Sequence, residues 1–331
     1  MRGTSSIPDR TAFDPLVVAR QKAERGLTTA VVIPARDEGS RVADVVGAIR
    51  RATVAAPGAP VPLVDELVVV DGASRDDTAA RAAAAGARVV PQGTSDAADV
   101  GAPGKGAALR CGVAATSADL VAFVDADVHD PDPWLAVGTL APLLLDERLR
   151  LVKSAAQRAW DGDRVGGGRV TELTVRPLLA LLWPAVAHVA QPLAGEYAAD
   201  RQLLEHLPFE AGYGVELGLL LDTARLCGPE VIGQVDLGVR GHDHQTLDAL
   251  GRMAAELVLV VADRLAVEGR PVDVGDASEA ARLLLPQPVR DADGTLMTVE
   301  VPVRRRPLGP LAAGAVSGGP PPARRGPSPR R

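Results

Sequence analysis

Aromatic residues are nearly missing from this chain. Three Trp, three Phe and two Tyr make up 2% of 331 residues, too few rings for the stacking platforms that bind single-stranded nucleic acid. Lysine is scarcer still. Lys22, Lys105 and Lys153 are the only three among 36 basic residues; with 34 Gly, 27 Pro and abundant Ala, this bias reflects GC-rich codon usage rather than an arginine code. Two cysteines, Cys111 and Cys227, have no metal-ligand spacing and cannot build a disulfide framework. A reducing cytoplasm is the expected compartment. The N-terminal MRGTSSIPDRTAFDP lacks the apolar core of a signal peptide. No apolar run reaches the ~20 residues of a bilayer span; the most apolar, Leu178 to Ala190, is broken by Pro184 and reads as a buried helix.

Positive charge is also in deficit. The formal net charge is −6, the wrong sign for a nucleic-acid protein. Residues 301–331 hold seven Arg and no acid, which leaves 29 basic and 42 acidic residues in 1–300, a charge of −13. Nucleic acid is therefore excluded as a partner of the folded part, and any anion bound there needs locally placed cations.

What is present is ordinary globular material, 47% hydrophobic and 24% charged. Short β-branched runs alternate with Ala-rich stretches: TAVVI (Thr29–Ile33), ELVVV (Glu66–Val70), ARVV (Ala87–Val90) and LVAFV (Leu120–Val124), with helices expected near residues 39–55, 76–85 and 104–115. This pattern predicts an α/β fold with a parallel sheet. A Rossmann-like nucleotide-binding half over 29–155 follows an N-terminal extension, 1–28. From Leu151 the rhythm changes to a strand expected at LVKSA (Leu151–Ala155), and a mixed α/β half, 156–270, carries a long helix through Ala187. Residues 271–303 form an extension with a short helix at ASEAARLLL and a strand at TLMTVEV. The Arg/Pro/Gly-rich 304–331 has the composition of a disordered tail.

In open parallel sheets ligands bind beyond the carboxyl ends of the strands. The first strand ends there in Pro34-Ala35-Arg36-Asp37-Glu38. Neither GxGxxG nor a Walker loop follows it; Gly104-Lys105-Gly106 fails the P-loop spacing, with Asp99 where the first Gly belongs. The second strand leads into Asp71-Gly72-Ala73-Ser74-Arg75-Asp76-Asp77-Thr78. Ser74 or Asp76 there either caps the next helix or reads a base or ribose. The fourth ends in Asp125-Ala126-Asp127, two carboxylates at a sheet edge with no evident buried counter-ion. Such a pair suits Mg²⁺ or Mn²⁺ held together with substrate phosphates.

Three further segments carry chemistry. Gly166-Gly167-Gly168-Arg169-Val170-Thr171 opens a helix, where first-turn amides and a guanidinium can take an anion. Tyr213-Gly214-Val215-Glu216 sets one acid among apolar residues, either buried in a hydrogen bond or facing a sugar hydroxyl. Arg240-Gly241-His242-Asp243-His244 contains a His-x-His pair; one His completing the Asp-x-Asp site suits it better than an independent Zn²⁺ site.

Taken in order, VIPARDE, VVVDGASRDDT, GKGAAL, FVDAD, GGGRVTEL, QPLAGEYAA, GYGVELGLLLD and QVDLGVRGH resemble the glucosyl-3-phosphoglycerate synthases, retaining glycosyltransferases of the GT-A fold. The resemblance spans residues 29–269. It implies transfer of glucose from UDP-glucose to 3-phosphoglycerate with Mg²⁺ or Mn²⁺, in a homodimer. By motif, Pro34 to Glu38 and Ser74 hold the uridine; Lys105, Asp125 and Ala126 line the nucleotide; Asp127 and His242 take the metal. Tyr213 to Glu216 face the donor sugar, and Arg240 neutralises donor phosphates. Gly168, Arg169, Val170 and Thr171 cradle the acceptor with His244, which stands where the family carries Asn. On this reading Asp127, Glu216, Lys105 and Arg240 are the catalytic set. Alternatives are a GT-A transferase for another acceptor, such as a polyprenyl phosphate, and a sugar-nucleotide-binding regulator without turnover.

Overall fold

A computed structural model describes residues 7–93, 104–158, 168–240 and 245–270, with only the backbone course at 157–158, 239–240, 283–290, 296–303 and 307–308. The first half runs α1 (Pro15–Glu24), β1 (Thr29–Ala35), α2 (Val42–Arg50), β2 (Glu66–Asp71), α3 (Thr78–Ala85), β3 (Arg88–Pro91), α4 (Lys105–Ala115), β4 (Leu120–Phe123), α5 (Trp134–Leu145) and β5 (Leu151–Ser154). The second runs β6 (Gln157–Arg158), α6 (Arg176–Leu182), β7 (Tyr197–Asp200), α7 (Arg201–His206), β8 (Phe209–Glu210), α8 (Val215–Cys227), β9 (Ile232–Val235), β10 (Val239–Arg240) and α9 (Leu247–Val267). Beyond these lie β11 (Leu283–Arg290), β12 (Leu296–Val303) and β13 (Pro307–Leu308).

Seven strands form one sheet in the order β3-β2-β1-β4-β7-β5-β9. Strands β1 to β4 are parallel, as the β/α alternation predicts. Because strand order reverses between β1 and β4, a crevice opens at their carboxyl ends. Strand β7 enters antiparallel to both β4 and β5, so its amino-terminal end arrives at that same edge. The sheet is thus continuous across residue 155.

Period-two alternation distributes the core to both faces. Val31 and Ile33 of β1 pack with Val45 and Ile49 of α2 and Leu140 of α5, whereas Val32 packs with Leu109 of α4 and Phe123 of β4. Local chemistry sets the helix ends. Asp14 Oδ1 accepts from the Leu16 amide at 2.8 Å with Pro15 at the first position of α1, and α3 stops at Gly86 with φ 102°.

Several elements differ from expectation. The stretch Leu178–Ala190 is not a buried helix: α6 ends at Leu182, Leu181 is 78% exposed, and Trp183, preceding Pro184, leaves helical geometry. A π-helical turn over Thr171–Val175 precedes α6. Leu283–Leu285, the end of the expected short helix, lie in β11, which pairs with β12 as a hairpin; residues 277–282 lie outside the described residues. Helix α5 is buried nearly all round, which removes the amphipathic period by which a helix is read.

One buried ion cluster ties the second half together. Arg264 of α9 reaches Glu210 of β8 at 2.5 Å and Asp222 of α8 at 2.7 Å, all three side chains about 5% exposed or less. Substituting Arg264→Leu would remove the main cation from two buried carboxylates. The expected cost is ~3–5 kcal/mol in urea unfolding; a loss below ~1 kcal/mol would contradict the cluster's role.

Candidate active site

Strands β1 and β2 are adjacent and parallel, so the loops leaving their carboxyl ends meet. The amides of Gly72, Asp37 and Glu38 donate to Ala35 O (2.8 Å), Ser74 Oγ (3.0 Å) and Thr78 Oγ1 (2.8 Å). Asp37 Oδ1 accepts from the Arg75 amide at 2.7 Å. Asp37 and Ala73 take φ of 57° and 60°, left-handed positions that a non-glycine residue holds only when its surroundings fix them. Asp76 accepts from the Thr78 hydroxyl and from the Gly39 and Thr78 amides, and these bonds, the hydroxyl's above all, hold its carboxyl below the usual range. Asp76 therefore takes the helix-start amide, and Ser74 takes the amide of Asp37. Arg36 and Asp37 are exposed along this ledge, Pro34 and Glu38 half-buried, and Ala35 buried.

Lys105 is the first residue of α4, behind Gly104 at φ 137°, a backbone state that favours glycine. A Cβ on Gly104 would lie 2.3 Å from Ala211 O, and one on Gly106 would lie 1.7 Å from Glu210 O. The two glycines thus let the start of α4 press against the backbone entering α8. The result is one ammonium between two carboxylates. Lys105 Nζ lies 2.6 Å from Asp125 Oδ1 and 2.8 Å from Glu216 Oε1. Burial by itself would depress the Lys105 pKa, but Asp125 and Glu216 outweigh it and hold it well above the usual value. The expectation that the Asp-x-Asp pair lacks a buried counter-ion is corrected here. Ala126 is buried, and Asp127 is partly exposed at the mouth.

The register of β7 brings in residues that motif reading missed. Tyr197 pairs with Phe123 on one side and Lys153 on the other, so the preceding loop passes beside Asp125. Gly195 is needed there, since a Cβ would sit 2.0 Å from Asp125 Oδ2. Lys153 Nζ donates to Ala194 O at 2.7 Å and lies 4.4 Å from the Tyr197 ring centroid. Desolvation lowers the Lys153 pKa to about 8, with Glu216 offsetting part of the drop and Lys105 adding to it. A small cleft opens alongside, lined by Ser154, Thr171, Gln191, Leu193 and Glu196.

The other expected residues fall around this centre. Tyr213 is 50% exposed, and its amide donates to Glu256 Oε2 of α9 at 3.0 Å. Gly214 starts α8, while Val215 belongs to the core and offers only backbone. Arg169 Nη2 donates to Gln245 O at 2.7 Å, which draws the 168–171 turn toward the segment after β10. Gly168 O accepts from the Glu172 amide at 3.0 Å, and Val170 is core. Arg240 lies in β10 opposite Arg158, whereas His242 and His244 lie outside the described residues. Among the described residues no three His, Cys, Asp or Glu side chains converge as a metal cage. Asp127, a single hard oxygen donor at the mouth, fits a divalent cation that shares its shell with phosphates.

Residues 30–139 match the Glycosyl transferase family 2 profile. A glucosyl-3-phosphoglycerate synthase of Mycobacterium tuberculosis is 41% identical over 294 residues, covering 87% of this chain and 86% of its own. The chain belongs to the glucosyl-3-phosphoglycerate synthase family. Another synthase, of Mycolicibacterium smegmatis, is 43% identical over 251 residues, 75% of this chain and 80% of its own. The M. tuberculosis synthase solved with Mn²⁺, UDP and glucosyl-3-phosphoglycerate is similar at a TM-score of 0.74 and 40% identity, covering 89% of this chain and 93% of that one. A mannosyl-3-phosphoglycerate synthase from Rubrobacter xylanophilus is similar at 0.80 and 37%, covering 92% and 96%. The mixed α/β sheet with its parallel core is the GT-A fold of these glycosyltransferases.

In this synthase-family site, Gly106 sets the height of Lys105 between its two carboxylates. A Gly106→Ala variant must push α4 away from Glu210 by more than an ångström. Glycosyl transfer is expected to fall by ~100-fold, the scale that such misplacement carries; steady-state rates within twofold of wild type would show that the close approach is dispensable.

Proposed function

We propose that the protein transfers glucose, with retention, from UDP-glucose to the 2-hydroxyl of 3-phosphoglycerate, giving glucosyl-3-phosphoglycerate and UDP. The observation that carries the proposal is Lys105 bridging Asp125 and Glu216 at the switch-point edge of the sheet, in a chain 41% identical to a synthase of that name. The joined loops with Pro34 to Glu38 and Ser74 form the ledge for uridine. Asp125, Ala126 and Lys105 line the nucleotide. Tyr213, Gly214, Val215 and Glu216 face the sugar, Glu216 being held by Lys105 so that its carboxylate accepts from hydroxyls. Gly168 to Thr171 cradle the phosphoglycerate beside the cleft, with Arg169 as the local cation and His244 assigned to the acceptor by motif.

Bond changes balance within the two substrates. The anomeric C–O bond to the β-phosphate breaks, the acceptor oxygen bonds the same face of that carbon, and its proton goes to the departing phosphate oxygen. No carboxylate is assigned as a nucleophile in this reading, which sets it apart from the two-carboxylate scheme of glycoside hydrolases. Lys105 and Arg240 answer the charge that grows on UDP. Asp127 and His242 would hold Mg²⁺ or Mn²⁺, which when bound supplies positive charge to the diphosphate.

A homodimer belongs to the same reading. Leu173, Leu181 and Leu247 are each 78–79% exposed, apolar surface of the kind a partner copy covers. No helix among the described residues is long and apolar enough to cross a membrane, in keeping with a cytoplasmic enzyme on small anionic substrates. Light scattering should give about twice 34.2 kDa; a mass near 34.2 kDa would remove the dimer.

The deciding assay follows UDP release from UDP-glucose with Mg²⁺, with and without 3-phosphoglycerate. Release is expected only with the acceptor, and the product should show an α linkage by NMR. Release with a polyprenyl phosphate instead would move the acceptor. Transfer of mannose in place of glucose would move the donor sugar toward the one in the name of the R. xylanophilus relative, and metal-independent binding without release would mark a regulator. Asp127→Ala should cost ~100-fold or more in kcat without altering the melting temperature. Arg169→Ala should raise the KM for 3-phosphoglycerate by ~10-fold or more, the scale of a charged hydrogen bond, with the KM for UDP-glucose unchanged. An unchanged acceptor KM would place the anion site elsewhere.

A further inference from the structure

The chain has only three lysines, and two of them enter one charged cluster. Lys105 serves the donor side. Lys153 stands on β5, 1% exposed, and has no role among the site residues assigned above. Its ammonium donates to Ala194 O at 2.7 Å and lies over the Tyr197 ring. Ala194 is followed by Gly195, whose missing side chain admits the Asp125 carboxylate, and the same loop lines the cleft at Gln191, Leu193 and Glu196. Lys153 therefore grips, from beneath, a strip of backbone with the donor carboxylate on one side and the proposed acceptor cleft on the other.

We propose that Lys153 is a positioning residue that tethers the 191–196 loop through Ala194 O and so sets the affinity for the anionic acceptor, independently of the donor nucleotide. The assignment of acceptor rests on the function proposed above; the tether itself does not. Several observations support it. The other backbone ties of this loop are local or at its end, Ala194 N to Gln191 O and Ser154 N to Glu196 O, so the Lys153 bond is a distinct anchor near its middle. Charge points the same way. The groups acting on Lys153 are Glu216 of α8, Lys105 of α4, Glu196 before β7 and Asp125 after β4, with Tyr197 of β7 against it. Three carboxylates and two ammonium groups are nearly balanced, and loss of the Lys153 charge would leave carboxylates facing an incoming phosphate and carboxylate.

The test compares wild type with Lys153→Met and Lys153→Arg as intact chains. Hydrogen exchange, which needs no turnover, is expected to rise at residues 191–196 in K153M and to return toward wild type in K153R; unchanged exchange in a folded K153M overturns the tether. If K153M does not fold, K153Q carries the same comparison, since its shorter, neutral side chain cannot reach Ala194 O, and exchange in that loop unaltered from wild type overturns the tether equally. In kinetics, K153M should raise the KM for 3-phosphoglycerate ~10-fold or more while UDP affinity, by calorimetry, stays within twofold. Equal losses for both ligands would show a merely structural residue. Wild-type kcat/KM for the acceptor should fall above pH ~8, because Lys153 is protonated and charged below its pKa of about 8 and neutral above it; persistence of that limb in K153R would overturn the charge role. Wild type without phosphoglycerate turnover would instead sink the functional reading, while the exchange result still judges the tether.

Discussion

One ammonium holds the site together. Lys105 is 21% exposed and otherwise withdrawn from water, and its charge is answered by Asp125 and Glu216 within 2.8 Å. Those carboxylates come from the end of β4 and the first turn of α8, and the lysine itself opens α4. The contact therefore fixes three elements relative to one another, and it exists only because Gly104 and Gly106 allow α4 to approach the backbone of residues 210–211. Removing a carboxylate would leave charge imbalance in a low-dielectric site, which is why electrostatics and packing cannot vary separately here.

The antiparallel strand β7 is the second determinant. Had it run parallel, the QPLAGE loop would leave from the opposite edge of the sheet. Running antiparallel, it delivers Gly195 against Asp125 and Ala194 onto Lys153. The ledge built by the parallel β/α units and the cleft near Thr171 thereby share one edge. The Arg264 cluster steadies the far side of this arrangement, since Glu210 both bonds Arg264 and lends its backbone to the α4 contact. An acidic body can then present a few cations where anions are to be held, with Lys105, Lys153 and Arg169 each secured by a defined oxygen partner.

Much of this was legible in the residues. Strand positions β1, β2 and β4 followed from β-branched runs, because a parallel sheet buried on both faces requires them, and the edge strand β3 followed from a shorter run of the same kind. The motif order identified the family, and the strand-end rule placed PARDE, DGAS and DAD on one edge. Other features were hidden for physical reasons. Helix α5 is apolar on every side, so it has no period to detect. The Leu178–Ala190 run ended early because Pro184 excludes helical geometry from Trp183, a backbone effect that apolar composition masks. Lys153 sat within a strand-like LVKSA, where its alternation position says inward or outward but not toward what.

Composition and pattern by themselves determined the α/β class and the family, because those depend on local periodicity and on which residue types occur in which order. Only the tertiary structure decided that Asp125 has a counter-ion, that Glu216 is the second carboxylate of that pair, and that Lys153 lies beneath the loop joining the two sides of the site. Those facts depend on strand direction and on approach distances between segments some 20 to 110 residues apart in sequence, and a pairing across such separations is set by how whole elements pack, which no local pattern encodes.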